Sequence, residues 1–325
     1  MDRRRVMKSA IAFGLALVST VDMSSAADQP TVVRIGYQKS STLIAILRSN
    51  GDLEKSLAGL GVTVKWSEFS SGLPLLEALN VGAVDLSGDV ADTVPIFAQA
   101  AGAKLTYFAS EAASPSAQAL LVTAQSPIKS VAQLKGKKIA VTKASGSHYL
   151  LIAALAQAGL KFSDIQPAYL TPADGRAAFE RGAVDAWVTW DPYVSATLKQ
   201  ANARILADGK GIASYQRYYL ASSNFAASRP DVLKLVFAKL KETGEWVKKN
   251  PEAAAQILGP AWGLDSAVVS LANSHRSYEV RSVSPENLVE EQKIADAFFA
   301  QGGLPKRINS SDAQIWSPDK QASAQ

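Results

Sequence analysis

Three short runs of this chain combine hydroxyl side chains with nearby glycine or amide groups: Gln38-Lys39-Ser40-Ser41-Thr42, Ser70-Ser71-Gly72 and Ser145-Gly146-Ser147-His148. Each falls where a β-branched, alternating segment gives way to a helical pattern. A helix start presents backbone N–H groups without intrahelical partners, at the positive end of the helix dipole. Hydroxyls add donors and glycine allows close approach, so such a junction can hold an oxyanion group such as a sulfonate. One junction alone reads as ordinary capping. Three at corresponding strand ends point to a shared anion site. Its candidates are Gln38, Ser41, Ser70, Ser145, Gly146 and Ser147, with His148 in the first turn of its helix.

A second group lies at the ends of two later strands. Trp187 reads as core. Trp190 and Asp191 fall at the strand end, where an indole could cover an alkyl chain. Gly88 and Asp89 hold the comparable place in an earlier segment. Asp89 and Asp191 could be read as a glycosidase carboxylate pair, but acids at strand ends also cap turns, orient serines and bind ammonium groups. Two histidines and no cysteine argue against a zinc or iron site, and His275, in a polar stretch, is given no role. There is no Gly-x-Ser-x-Gly elbow, no phosphate-binding Gly-x4-Gly-Lys-Ser/Thr loop and no His-Glu-x-x-His. No cofactor and no catalytic residue are expected.

The elements that must carry these residues alternate. Strands are predicted at Thr31–Tyr37, Val62–Phe69, Asp85–Ser87 and Leu105–Phe108, with helices between them. Such alternation means a mainly parallel sheet with helices on its faces. The pattern then restarts with strands at Ala117–Thr123, Lys138–Val141, Ile165–Tyr169, Asp185–Val188 and Arg204–Ala207. Arg217–Ser222 is one more strand, and the remainder is nearly all helical. An internal echo joins the halves: Leu76–Asp85 and Arg176–Asp185 each read as a helix, then Gly-Ala-Val-Asp, then a short strand and an acidic residue, Asp89 or Asp191. Two similar α/β lobes follow from it, with the ligand expected at the carboxyl ends of the strands.

The chain has 325 residues, 47% apolar and 19% charged, a globular composition with room for two cores. Residues 1–27 read as a cleavable export signal: Arg3, Arg4, Arg5 and Lys8, then an apolar run too short to span a bilayer, then small residues. Asp2–Lys8 also fits a twin-arginine signal, and both export routes stay open. Without cysteine the exported protein carries no lipid-modified N-terminus, so a free protein in the periplasm is expected. Removing the four basic and two acidic residues of 1–27 leaves 30 basic against 27 acidic residues. That balance mildly favours anions. No dense basic run with interleaved aromatics supports nucleic acid as a partner.

Taken together, Arg34–Lys39, Leu76–Asp85, Pro95–Gly102, Ser145–Leu151, Ala158–Phe162, Tyr169–Asp174 and Trp190–Tyr193 resemble the aliphatic sulfonate-binding proteins of ABC importers. The likeness covers most of 32–223 and thins in the C-terminal helices. It implies the type II periplasmic binding protein fold: two Rossmann-like lobes joined by two crossover strands, near Ala117–Leu121 and Tyr218–Ser222. The lobes would be 28–118 with 220–325, and an inserted 119–219. It also implies an alkanesulfonate held in the interlobe cleft for sulfur acquisition, by a monomer that serves an inner-membrane permease and its cytoplasmic ATPase. Taurine, nitrate or a pyrimidine precursor on the same scaffold, and an exported hydrolase, are the alternatives. After Gly88-Asp89 this chain runs through Val90-Ala91-Asp92-Thr93-Val94 before Pro95, where the family often goes straight into prolines.

Overall fold

The structure, a computed structural model, describes residues 31–318. The stretch read as an export signal lies outside the described residues. Twelve strands form two sheets. The first contains β1 (Thr31–Gln38), β2 (Val62–Phe69), β3 (Leu86–Ala91), β4 (Leu105–Glu111), β10 (Arg217–Ser222), β11 (Val280–Arg281) and β12 (Gln314–Ile315). Its order is β11-β4-β10-β3-β1-β2, with β12 also on β4. The second contains β5 (Gln118–Thr123), β6 (Lys138–Val141), β7 (Gln166–Tyr169), β8 (Ala186–Trp190) and β9 (Ala203–Asp208), in the order β7-β6-β8-β5-β9.

Five strands of the first sheet, β2-β1-β3-β10-β4, match the second sheet's β7-β6-β8-β5-β9 in order, and β11 and β12 are additions on β4. β1 pairs parallel with β2 and β3, as β6 pairs parallel with β7 and β8. Each sheet then receives one antiparallel strand, β10 beside β3 and β5 beside β8. The Gly-Ala-Val-Asp echo has the same work in both. The Asp85 carboxylate accepts from the Arg34 N–H at 2.8 Å, and the Asp185 carboxylate accepts from the Lys138 N–H at 2.8 Å. Gly82 and Gly182 precede them at φ 73° and 67°, in the left-handed region that favours glycine. Register places Leu86 on Ile35 and Ala186 on Ile139. Thr189, not Asp191, is therefore the counterpart of Asp89.

Helices cover both faces of each sheet because the strands alternate their side chains. In β10, Tyr219 and Ala221 pack with α1 (Thr42–Asn50), α2 (Asp52–Ala58), α9 (Pro230–Lys249) and α10 (Pro251–Trp262). Tyr218 and Leu220 pack on the other face with α3 (Gly72–Asn80) and α4 (Thr93–Ala100). In the second sheet Leu120 and Val188 meet α5 (Gly146–Gln157), while Leu121 and Trp187 meet α6 (Pro172–Glu180) and α7 (Tyr193–Gln200). Trp187 is core, as its strand position implied. The remaining helices are α8 (Ser223–Ser228), α11 (Ser266–Ser274) and α12 (Pro285–Ala300).

The chain passes between the sheets twice, through residues 112–117 and 209–216, next to the expected Ala117–Leu121 and Tyr218–Ser222, most of which belong to β5 and β10. The two passages are bonded together. The Gly209 N–H donates to the Pro115 carbonyl at 3.0 Å and the Ser114 N–H to that of Ser214 at 3.1 Å. A Cβ on Gly209 would stand 2.5 Å from the Pro115 oxygen, so only glycine lets the strands of this joint lie so close.

Candidate functional site

A narrow cavity of about 10 Å³, room for about one water molecule, lies at the carboxyl ends of the parallel strands. Gln38, Gly72, Ala91 and Val94 line it from the first sheet's side, and Ser145, Gly146 and Trp190 from the second's. Tyr215 and Arg217 close it where the chain returns between the sheets. Gly72 and Gly146 are the first residues of α3 and α5, so two helix starts open on the cavity. Neither position has room for a side chain. A Cβ on Gly72 would sit 2.8 Å from Val94 Cγ2, and one on Gly146 would sit 2.6 Å from the Tyr215 ring and 3.0 Å from Ala91 Cβ.

The cation at this site is Arg217. It is buried, ion-paired with Asp89, and donates from Nη1 to the Tyr215 hydroxyl at 3.3 Å. Its Nε–H is buried without a partner. Behind it stands a second buried arginine. Arg276 Nη2 contacts Asp89 at 3.1 Å and Glu111 at 2.8 and 2.7 Å, while its Nη1 donates to the Ser40 carbonyl and the Thr42 hydroxyl, both at 2.9 Å. Tyr219 donates its hydroxyl to Glu111 at 2.7 Å. Two guanidiniums thus meet two carboxylates out of water. Burial works against the Arg276 charge, but Glu111 and Asp89 outweigh it and hold its pKa well above the usual value.

Asp92 fixes the strand that carries Arg217. Its N–H donates to the Gln216 carbonyl at 2.9 Å, and its carboxylate accepts from the Gln216 N–H at 3.0 Å. Burial raises its pKa to about 6, against the lowering effect of the N–H groups of Gln216 and Thr93.

The residues singled out from the sequence divide into three groups. Gln38, Ser145, Gly146 and Trp190 line the cavity. Ser41, Gly88, Asp89 and Ser147 are buried near it without lining it. The Ser41 hydroxyl accepts from the Gln38 N–H at 3.2 Å, and a Cβ on Gly88 would meet Ser41 Oγ and the Gly36 carbonyl at 3.3 Å. Gln38 itself donates from Nε2 to the Asp89 carbonyl at 2.9 Å. Ser145 is a working cap: its Oγ accepts from the His148 N–H at 3.2 Å and donates to the Thr142 carbonyl at 2.7 Å. The Ser147 hydroxyl is fully buried and unpartnered.

Ser70, His148 and Asp191 stand apart. Ser70 is exposed, because β2 ends at Phe69 and Ser71 is the residue that turns inward before α3. His148 packs against Phe298, Phe162 and Tyr169, with ring centroids 5.0, 5.1 and 5.6 Å away, and burial lowers its pKa to about 4. Asp191 is buried and caps α7, accepting at Oδ1 from the Ser195 N–H at 2.9 Å and hydroxyl at 2.6 Å. Its Oδ2 meets His275 Nδ1 at 2.6 Å. His275 therefore has a partner that its polar sequence neighbourhood did not reveal. Sequence reasoning also missed Ser40, whose hydroxyl accepts from the Trp190 indole N–H at 3.2 Å, and the arginine pair. The available signal was an arginine opening an otherwise apolar strand, which has to find an acid when it is buried.

Residues 58–254 match the NMT1/THI5-like family. A putative aliphatic sulfonates-binding protein of Escherichia coli strain K12 is 42% identical over 316 residues, covering 97% of both chains. The crystal structure of the periplasmic aliphatic sulphonate binding protein SsuA from Escherichia coli superposes with a TM-score of 0.80 at 42% identity, over 89% of this chain and 93% of that one. The alkanesulfonate-binding protein SsuA from Xanthomonas axonopodis pv. citri, bound to MOPS, gives a TM-score of 0.83 at 38% identity, over 89% and 99%.

Proposed function

Because the chain belongs to the NMT1/THI5-like family and, within it, to the aliphatic sulfonate-binding proteins, we propose that it captures an alkanesulfonate in the cavity between its two sheets and delivers it to an ABC importer. It acts as a binding protein and not as an enzyme. The observation that carries the site assignment is Arg217, a buried guanidinium on the cavity wall with an unpartnered Nε–H, beside two glycine-opened helix starts.

A sulfonate carries one negative charge spread over three oxygens. Arg217 supplies the counter-charge, and the N–H groups at the starts of α3 and α5 supply donors on the remaining sides. The Ser147 hydroxyl adds one more when the ligand is bound. Trp190, Val94 and Ala91 form the apolar part of the wall, against which an alkyl chain lies.

The two sheets, each with its helices, are the lobes of this reading, and the bonded passages at 112–117 and 209–216 are the hinge. The protein is exported by the signal in residues 1–27 and works in the periplasm as a free monomer that offers its loaded form to the permease. Among the described residues no helix is long and apolar enough to cross a membrane. Calorimetry against butane-, hexane- and octanesulfonate, taurine, sulfate and nitrate tests the reading. Binding of an alkanesulfonate that is lost in Arg217→Met supports it, and heat from nitrate or sulfate alone overturns it.

A further inference from the structure

His275 follows α11, which belongs to the first sheet's half of the molecule, and Asp191 follows β8 in the second. Apart from the local Lys210–Asp208 pair, their contact at 2.6 Å is the one ion pair among the described residues that joins residues 118–208 to the rest. Asp191 sits one residue from the cavity wall, and His275 one residue from the ion network behind it. Trp190, before Asp191, lines the cavity and bonds to Ser40 of the opposite half. Arg276, after His275, bonds to Ser40 and Thr42 and holds the Asp89 that holds Arg217.

From this geometry we infer that His275 is a positioning residue: a proton-dependent latch that closes the two halves over the ligand by gripping Asp191. The latch rests on the two-lobed binding reading above, and on the sulfonate for its choice of probe. Asp191 has little freedom. Its side chain is 2% exposed and Oδ1 is committed to Ser195, so Oδ2 keeps a charged partner only while the halves are together. The His275 side chain is 20% exposed, enough to exchange protons with solvent.

His275 faces few other charges. The hydrogen bond and charge of Asp191 raise its pKa, burial and Lys210 lower it, and Asp208 raises it slightly, with a net rise. Asp208 and Lys210 are themselves paired at 3.7 Å. The Arg276 guanidinium is turned to Asp89 and Glu111. When the halves separate, His275 loses Asp191 and returns toward the ordinary histidine value of about 6.5. The closed form therefore binds the proton more tightly than the open one. Its added stability is complete below about pH 6.5 and is lost as pH rises through the raised value. Ligand that requires closure inherits that dependence by linkage.

The test is calorimetry with hexane-1-sulfonate, which does not titrate in this range, from pH 5.5 to 8.5, on the full mature chain and on His275→Gln and Asp191→Asn. Gln keeps a hydrogen-bonding side chain but has no titrating charge. The wild type is expected to lose affinity with rising pH by about threefold or more beyond the change in His275→Gln. Asp92 lies near the same cavity and titrates in all three proteins, so the difference isolates the latch. Parallel profiles overturn it. The pKa of His275 is read separately by NMR in wild type and Asp191→Asn with saturating hexane-1-sulfonate, which holds the halves together. A higher value in wild type supports the pair, and equal values overturn it. If hexane-1-sulfonate gives no heat at any pH, the substrate reading falls, and the same NMR comparison with the solute of the panel that does bind decides the latch.

Discussion

Arg217 borders the cavity and its ion-pair partner Asp89 does not. The acid faces Arg217 on one side and Arg276 on the other, so one carboxylate fixes the cation that meets the ligand and the cation that anchors the surrounding loops. Ligand affinity and fold stability therefore run through the same buried group, but they separate on mutation. Arg217→Met leaves Asp89 paired with Arg276, and is expected to cost about ten- to hundredfold or more in alkanesulfonate affinity by loss of a charged hydrogen bond. Asp89→Asn leaves two buried guanidiniums sharing one fewer acid, and is expected to cost about 3–5 kcal/mol of stability. Calorimetry and denaturant unfolding on both variants check the separation. Equal stability losses with unchanged affinity in Arg217→Met would remove Arg217 from the site.

Ser145 and Ser147 are expected to part in the same way. The Ser145 hydroxyl is used twice within α5 and its preceding loop, so Ser145→Ala should cost about 1 kcal/mol of stability with a lesser effect on binding. The Ser147 hydroxyl has no partner in the chain to lose. Ser147→Ala should leave stability nearly unchanged and weaken hexanesulfonate binding by about tenfold. Thermal melts with and without ligand measure both terms at once.

Much of the scaffold was legible because it depends on local chemistry. Strand–helix alternation located both sheets, and the repeated Gly-Ala-Val-Asp marked two residues, Asp85 and Asp185, that bond the neighbouring strand identically. The Ser145–His148 junction was legible for the same reason: capping is written within a few residues. Ser70 missed by one position: the strand ends at Phe69 as read, but nothing local says which of the two serines after it turns inward. The ion network was not legible. Arg276 is 187 residues from Asp89 and 165 from Glu111, and only the topology that inserts β10 between β3 and β4 brings the three together. The His275–Asp191 contact is 84 residues long-range for a like reason. Asp191 was read with Trp190 as a cleft residue because both fall at the strand end, but neighbours after a strand point apart.

Asp92 gives a pH dependence of stability with a definite sign. Its folded value of about 6 lies above the ordinary 3.8 because burial disfavours the charged form. A raised carboxyl stabilises the fold fully below the unfolded value and loses that contribution as pH climbs through the folded one. Stability measured against Asp92→Asn should therefore fall between about pH 4 and pH 6 and then level off, by an amount on the order of 3 kcal/mol. Asparagine keeps an oxygen for the Gln216 N–H, so the Arg217 strand stays in place. Urea unfolding of both proteins across that range is the measurement. A difference that stays constant with pH would mean that Asp92 does not titrate there.

Closure itself can be read from the indole of Trp190. Its N–H donates to Ser40 across the cavity at 3.2 Å, and its ring is buried beside Tyr215 and Tyr193. The Ser40 bond joins the two halves, and separation of the halves about the passages at 112–117 and 209–216 would break it and expose the indole. An anion that takes donors from both α3 and α5 binds the closed arrangement better than the open one, and that difference is what drives the equilibrium toward closure. Saturating hexanesulfonate should therefore reduce the radius of gyration in small-angle scattering and change the tryptophan fluorescence. Trp190→Phe should abolish most of the fluorescence change while leaving the scattering change, because Phe keeps the apolar wall and loses only the indole. Ser40→Ala should reduce affinity about three- to tenfold by removing the cross-cavity hydrogen bond from the closed form alone. Identical scattering with and without confirmed ligand would show that the molecule is closed throughout, and that the permease reads the loaded protein by some feature other than its shape.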